Sequence, residues 1–406
     1  MTRLFIRLVL GLCCSCSGAA GAADDFDRLL AQALATHPVV EGSRAGLEAA
    51  RADREGAEWQ RYPTPAFEAS GPKSGITTGF FTPTGNLLSL EQPIWAGGRI
   101  SAGIRAAGFR EAAAEAAVAE AKQTMTLRMI SAYTELLRLG QRQNYARTAV
   151  DQHDTLVALI SRRVAQDVSP PADREFAQSR LAQAAAELSI SNQGVQVAQA
   201  QLSQLVGRQI GAIEDVRLDG RILPATLEEA MSLSVERSPV LARLEQTALA
   251  AGEDVESKRA VIMPQVAVRL ERQFGTSNDS RALLVFRAQP GAGLSAGSAI
   301  AAAQRRMEQA RLAREEARRN VLEQAQTAFT EWRAAQVRRE SARSAATLAQ
   351  SVFDSYSRQY VAGRKTWIDV LNAVREISQS QYALADVEAL ARASALRLWL
   401  LIGEAQ

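Results

Sequence analysis

The chain repeats itself, and the repeat dictates more than any single motif. His37-Pro38-Val39 recurs as Ser238-Pro239-Val240, and the same offset of 201 residues aligns Ala49-Ala50 with Ala250-Ala251, Glu55 with Glu256, and Tyr62-Pro63 with Met263-Pro264. Further on, Gln92-Pro93 matches Gln289-Pro290 at 197, and Ala132-Tyr133-Thr134-Glu135 matches Ala328-Phe329-Thr330-Glu331 at 196. Asp173 with Asp369, and Leu205-Val206-Gly207 with Leu401-Ile402-Gly403, keep that offset of 196. Most of the length difference therefore falls between Pro63 and Gln92, and none between Ala132 and Gly207. Surface loops absorb insertions, whereas an insertion in a packed helix rotates every later side chain off its face. Each half must contain one variable loop and one register-locked helical arm.

Local patterns fill in those halves. Residues 25–61 read as a helix ended by Tyr62-Pro63, followed by short strands at Ala66 to Ser70 and Leu87 to Trp95. Turn chemistry separates them: Gly71-Pro72-Lys73-Ser74-Gly75 and a Thr, Phe, Pro, Gly tract containing Phe80 and Phe81. In the second half the strands are Gln265 to Phe274 and Ala282 to Gln289, with a turn at 276–280. Val266, Val268 and Leu270 alternate with Ala267, Arg269 and Glu271, which gives one apolar face. From about Gly98 to Ala165 there is no proline, and Met125, Met129, Ile130, Tyr133, Leu136 and Leu137 form a helical seam. Such a helix is roughly 100 Å long. The second half repeats it from about Ser298 to Val361. Helices of that length belong to coiled coils or tubes.

The N-terminus carries Arg3 and Arg7, an apolar stretch from Leu4 to Leu12, and small residues up to Ala23, the layout of a secretory signal peptide over residues 1–23. Cys13, Cys14 and Cys16 all lie within it, so cleavage at the alanines leaves no thiol ligand or nucleophile. Lipidation at a cysteine is the alternative, opposed by Leu12 standing before Cys13. The expected organisation is a signal peptide at 1–23, a first repeat at 24–208, a linker at 209–225 and a second repeat at 226–406. No later segment reaches 18 consecutive apolar residues, so no transmembrane helix is expected.

Four strands cannot close a barrel, and an open strand edge in lipid leaves backbone groups unpaired at several kcal/mol each. A secreted chain with few strands and very long helices is thus pushed towards a ring-shaped oligomer. Three copies would supply twelve strands, an even number within the range of outer-membrane barrels, and this arithmetic equally permits other multiples of four.

Three motifs, together with the duplication, carry a family resemblance over essentially the whole mature chain. They are Gln92-Pro93-Ile94-Trp95-Ala96-Gly97-Gly98-Arg99, the run from Tyr360 to Leu371, and the close on Leu401-Ile402-Gly403. The pattern resembles the TolC family. That resemblance implies a mainly α fold with a small β part: a long-helix tunnel under a twelve-stranded barrel built by a homotrimer in the outer membrane, reaching into the periplasm. It implies partners as well, a periplasmic adaptor and an inner-membrane ABC transporter or proton-driven pump. Within the family, the tract Gln289 to Ala296 and the run Arg364 to Asn372 resemble LapE-like ducts that export large adhesins by type I secretion. A drug- or metal-efflux duct is the alternative on the same scaffold.

The resemblance also implies site residues. The turns after the two long helices would form the periplasmic entrance, with Tyr360, Lys365, Asp369 and Asp173 at the positions of entrance-closing polar links. Val168, Ser169, Gly363, Arg364 and Thr366 would shape the turns and meet a partner. The residues themselves offer a plainer role for Asp369, because Thr366-x-x-Asp369 is a capping-box arrangement; gate and cap both stand. Two departures matter: the family's second acidic position, one helical turn on, is Asn372, and Asp167-Val168-Ser169-Pro170-Pro171 replaces the usual first turn. Ser169 is the expected N-cap, with Pro170 at the first helical position. Trp95, at a strand end, is a candidate for a membrane-interface girdle.

Other function classes fare worse. With 47 basic against 44 acidic residues there is no nucleic-acid partner to expect, and in the run from Arg305 to Arg319 the pairs Arg311–Glu315 and Glu315–Arg319 are spaced for ion pairing. His37 and His153 are the only histidines, and no metal, cofactor or catalytic motif is present. A soluble periplasmic coiled-coil scaffold accounts for the helices and the leader, but has no use for duplicated strand pairs.

Overall fold

The computed structural model describes residues 25–70, 85–216, 222–275, 278–288 and 295–403. The leader with its three cysteines, Phe80 and Phe81, and most of the Gln289 to Ala296 tract lie outside these described residues.

Each half opens on a broken helix. The expected single helix over 25–61 is two, α1 (Phe26–Thr36) and α2 (Pro38–Trp59). The residue before a proline is excluded from helical backbone, and His37 accordingly sits extended (φ −74°, ψ 131°), its Nδ1 accepting from Val39 N at 3.2 Å. The second half breaks the same way at Ser238-Pro239, between α5 (Leu227–Glu236) and α6 (Pro239–Ala260). Here Ser238 is a side-chain cap, accepting from Leu241 N at 3.4 Å.

Four strands follow the helix pairs: β1 (Thr64–Ser70), β2 (Gly85–Trp95), β3 (Gln265–Gly275) and β4 (Asp279–Arg287). They form one antiparallel sheet in the order β1-β2-β3-β4, so the β2–β3 ladder joins the two halves. β4 begins earlier than expected, with Asp279 and Ser280 paired to Gln273 and Arg272 rather than lying in the turn. The sheet is two-faced. Phe67, Leu88, Leu90, Leu270, Leu284 and Phe286 stand exposed on one side, Phe286 at 69%. The other face lines a groove and carries Glu68, Glu91, Arg269, Glu271, Arg281 and Arg287.

From the sheet the chain turns through Gly97 and Gly98, both at positive φ (59° and 91°), into α3 (Arg99–Ala165). Gly97 has no alternative, since a Cβ there would lie 2.4 Å from Met263 Cβ. The 67 residues of α3 and the 66 of α7 (Ala296–Val361) each span about 100 Å. They return as α4 (Pro171–Val206) and α8 (Trp367–Leu401). The buried residues of α7 are mostly alanine: Ala296, Ala303, Ala325, Ala328, Ala335 and Ala346. Small side chains let neighbouring helices approach closely over that length.

Halfway along the helices, Phe26 and Leu29 of α1 pack on Met125, Met129, Ile130 and Tyr133 of α3, with Leu202, Val206 and Leu396 behind them. The Phe26 and Tyr133 rings meet edge-on at 5.3 Å, and the Tyr133 hydroxyl donates to Glu214 O at 2.7 Å. The expected seam of α3 is this cluster. No described helix is long and apolar enough to cross a membrane. In the run from Arg305 to Arg319 the described ion pairs go through Arg314, to Glu245 and to Glu315, rather than through Arg311 and Arg319; Arg314 reaches across to α6, which the local spacing does not reveal.

Candidate functional site: the helical tip and the sheet interior

The ends of both helical hairpins come together far from the sheet. Each long helix closes with a left-handed residue and a paired set of backbone bonds. Val168 N donates to Arg163 O (2.9 Å) and Asp167 N to Val164 O (3.1 Å); Arg364 N donates to Gln359 O (2.8 Å) and Gly363 N to Tyr360 O (3.0 Å). This double bond pattern is the Schellman arrangement, whose turn residue needs positive φ. Gly363 adopts φ 74°, and Asp167 adopts φ 57°, the only described non-glycine residue in that region.

The return helices start differently. Thr366 and Asp369 form a full capping box: Asp369 N donates to Thr366 Oγ1 (3.3 Å) and Thr366 N to Asp369 Oδ2 (3.0 Å). The Thr366 hydroxyl also donates to Asp369 Oδ2 at 2.8 Å. These bonds from the Thr366 side chain and backbone, with Lys365 nearby, hold the Asp369 carboxyl below its ordinary range. The cap reading of Asp369 is therefore realised within one chain. On the first repeat the expected Ser169 cap is displaced by one residue. Pro170 is the N-cap residue and Pro171 opens α4, without a side-chain cap bond. A proline at 171 forces Pro170 into extended backbone (φ −69°, ψ 150°), so the helix cannot begin earlier.

Beneath the turns lies a small core of Leu156 from α3, Tyr360 from α7, and Val370, Leu371 and Val374 from α8. Tyr360 is 4% exposed, and its hydroxyl has no hydrogen-bond partner. Arg163 stands over its ring at 5.2 Å. Burial raises the phenol's pKa, the Arg163 charge opposes that, and Asp173 adds a smaller raising effect. Asp173 thus lies near Tyr360 without bonding to it. Lys365 points back onto the Tyr356 ring at 4.3 Å. Phe176 of α4 meets Trp367 of α8 edge-on at 5.5 Å, tying one hairpin to the other. Arg163, Tyr356, Phe176 and Trp367 had no assigned role from sequence; they occupy no repeated position, and only the fold brings them together. The outermost surface exposes Val168, Val361 and Ile368, with Gly363 and Arg364 at the bend.

Beside this core, a cleft of about 240 Å³ runs between α3, α4 and α8, lined by His153, Arg180, Leu371, Asn372, Arg375 and Tyr382 among others. The buried Nδ1 of His153 has no partner, and burial, then the Arg180 charge, lowers its pKa. Among the described residues no group of three or more His, Cys, Asp or Glu side chains is gathered as for a metal.

At the other end, the inner sheet face is a ladder of charge. Arg269 binds Glu91 through Nε at 2.9 Å and Glu271 at 3.5 Å; Arg281 binds Glu271 at 2.7 Å; Arg287 approaches Glu91 at 3.6 Å. Trp95 is half-exposed where β2 ends, past an irregularity in the β2–β3 register between Pro93 and Trp95, and it lines the inner groove near Arg99. Trp59 and Tyr62, unflagged by the sequence, form a second aromatic pair at 5.2 Å, both largely exposed.

An apolar outer face, a charged inner face and roughly 100 Å helical hairpins define a protomer of an outer-membrane channel that reaches into the periplasm. The chain belongs to the family described as outer membrane efflux protein, whose sequence profile matches residues 29–208 and 230–404. It is an outer-membrane channel of the kind that serves tripartite systems, a conduit and not an enzyme. No curated protein matches it in sequence. Among solved structures it is similar to the outer membrane protein VceC of Vibrio cholerae, at 21% identity and TM-score 0.82, covering 93% of this chain and 96% of that one. The similarity to CusC is 16% identity and TM-score 0.83, with 94% and 92% covered. To the open state of the Neisseria gonorrhoeae MtrE channel it is 15% and 0.73, with 93% and 88% covered. These likenesses establish the fold.

Proposed function

We propose that three copies of this chain form a duct whose periplasmic entrance is closed at the turns near 166–173 and 362–369, and that it serves type I secretion of a large protein such as an adhesin. The observation that carries the duct is the two-faced sheet with both edges open: among the described residues of one chain, β1 and β4 each have a strand on one side alone. Further copies supply the strand on the other side, and a homotrimer makes twelve strands. A soluble scaffold would leave Phe67, Leu284 and Phe286 in water.

The chain offers no nucleotide or proton-coupling motif, so its partners, a periplasmic adaptor and an inner-membrane ABC transporter or proton-driven pump, would supply energy and select cargo. Its own action would be to open and close. Lys365, Asp369, Tyr360 and Asp173 are the proposed entrance links. Asp369 can cap its own helix and still present a carboxylate oxygen to a neighbouring copy, because a carboxylate has about four acceptor positions. Replacing Lys365 or Asp369 by alanine is expected to raise passive conductance, and unchanged conductance in both would remove them from the gate. Val168, Ser169, Gly363, Arg364 and Thr366 form the proposed partner-facing tip. Trp59 and Tyr62 mark the proposed membrane interface, where amphipathic rings are favoured; Trp95, the girdle candidate from sequence, sits at the same end of the sheet with its side chain on the inner groove.

Type I secretion is supported by the tracts Gln289 to Ala296 and Arg364 to Asn372; drug or metal efflux is the second reading. Deleting the gene in its native host separates them. Loss of a large surface protein with unaltered tolerance of dyes and metals is the expected result. Lost tolerance with an intact surface proteome would make the chain an efflux duct.

A further inference from the structure

In the middle of the edge strand β1, the inner face of the sheet holds a carboxylate, Glu68, that the ladder leaves out. Glu91 and Glu271 are each bound by arginines, whereas Glu68, on the edge strand β1 and lining the same groove, has no ionic partner among the described residues. The opposite edge strand, β4, carries Arg281 and Arg287 on that face, both substantially exposed. One edge thus presents a free negative group and the other presents guanidiniums with donors to spare.

The geometry of a barrel fixes how these edges meet. Within the chain, the paired line Thr64–Glu91–Arg269–Leu283 crosses all four strands. Strands tilted about 35–45°, some 4.8 Å apart and rising about 3.3 Å per residue, stagger by roughly four to six residues over four strands. The stagger must be even, so that inward residues meet inward residues. Its direction is also set. A stagger of four one way places Thr64 opposite Arg287 and Ser70 opposite Arg281 of the next copy, pairing all of β1. The other way, Thr64 alone would find a partner, at Asp279, and the rest of β1 would face lipid unpaired.

We propose that Glu68 forms an ionic clasp with β4 of a second copy, closing the charge ladder into a ring inside the barrel. With a stagger of four, Glu68 faces Leu283 and has Arg281 as its diagonal neighbour. With six, it faces Val285 and has Arg287. Diagonal same-face residues lie about 7–8 Å apart at Cα, within reach of long side chains. Either register supplies one arginine. The inference rests on the duct reading and adds to it the register and polarity of the seam between copies.

The test uses the full chain in detergent or outer membranes. Two double variants, Glu68→Cys with Leu283→Cys and Glu68→Cys with Val285→Cys, are treated with a short thiol crosslinker, beside single-cysteine controls that account for any native thiol. One of the two is expected to yield covalent oligomers, and which one does so reports the register. In parallel, Glu68→Arg is expected to lower the temperature at which the oligomer falls apart in SDS. Arg281→Glu or Arg287→Glu in the same chain, matching the crosslinked register, is expected to restore it. A wild-type oligomer in which neither cysteine pair crosslinks, or neither reversal restores, overturns the clasp while leaving the duct intact. A wild-type chain that is monomeric in detergent overturns the duct itself.

Discussion

The two turns at the helical tip descend from one duplicated segment and make the same bend by different chemistry. Both end a long helix on a left-handed residue, Asp167 in one and Gly363 in the other. Gly363 adopts that conformation without steric cost, and Asp167 does not. Past the bend the relation reverses. The second turn starts α8 with a capping box that depends on an ionised carboxylate, and the first starts α4 with two prolines and no side-chain cap. The first return helix is held by covalent geometry, and the second by hydrogen bonds that protonation or a single substitution can undo. A duplication thus preserves backbone shape more faithfully than the means of holding it, and leaves the second turn as the responsive one.

Substitutions can break or sharpen that contrast, read by hydrogen exchange of the amides on either side of each turn. The largest effect is expected from Tyr360→Ala, which empties the core shared by both hairpins; loss of a buried aromatic typically costs about 3–5 kcal/mol. Exchange should accelerate in α7 and α8 together, and an unchanged rate would mean the cluster does not hold the tip. Gly363→Ala should cost about 1–2 kcal/mol because the left-handed conformation then carries a Cβ. Thr366→Ala should cost about 1 kcal/mol through the lost cap, whereas Ser169→Ala should do nothing. Equal effects of those two would erase the distinction between the turns. Asp167→Gly should go the other way, stabilising the first turn by up to about 1 kcal/mol.

Acid is expected to act on the second turn. The Asp369 carboxyl titrates below its unfolded range, so its cap is fully present above that range and is lost as pH falls through the folded value. His153 contributes in the same direction over a higher window. Its folded pKa is lowered by burial and by Arg180, so the unfolded state binds more protons once pH falls below about 6.5. Groups facing it from the packed helices include Arg180 and Glu187 on α4, and Arg375 and Tyr382 on α8. Acidification should therefore loosen the cleft first and the cap later, and His153→Asn should remove only the first phase.

Much of this was legible in the sequence because it is periodic. The offset of 196 from Ala132 to Gly207 located the paired arms and their turns, and Val266 to Glu271 announced a two-faced strand. Thr366 and Asp369 could be read as a cap because a capping box is local. What could not be read depends on contact between distant segments. Arg163 meets Tyr360, and Phe176 meets Trp367, only once two hairpins are aligned. The helix break at Pro38 was present in both repeats but hidden within a helical pattern, and the second proline at 171 shifted a cap that one proline alone would have left at Ser169.

The most direct test of the central claim is the conductance of single purified particles in a planar bilayer, with their mass in detergent measured alongside. A trimer giving small, stable pores that enlarge in the Lys365→Ala and Asp369→Ala variants is the expected result. A monomer or dimer without pore activity would contradict the account, because a four-stranded sheet with two open edges would then have no way to sit in a membrane.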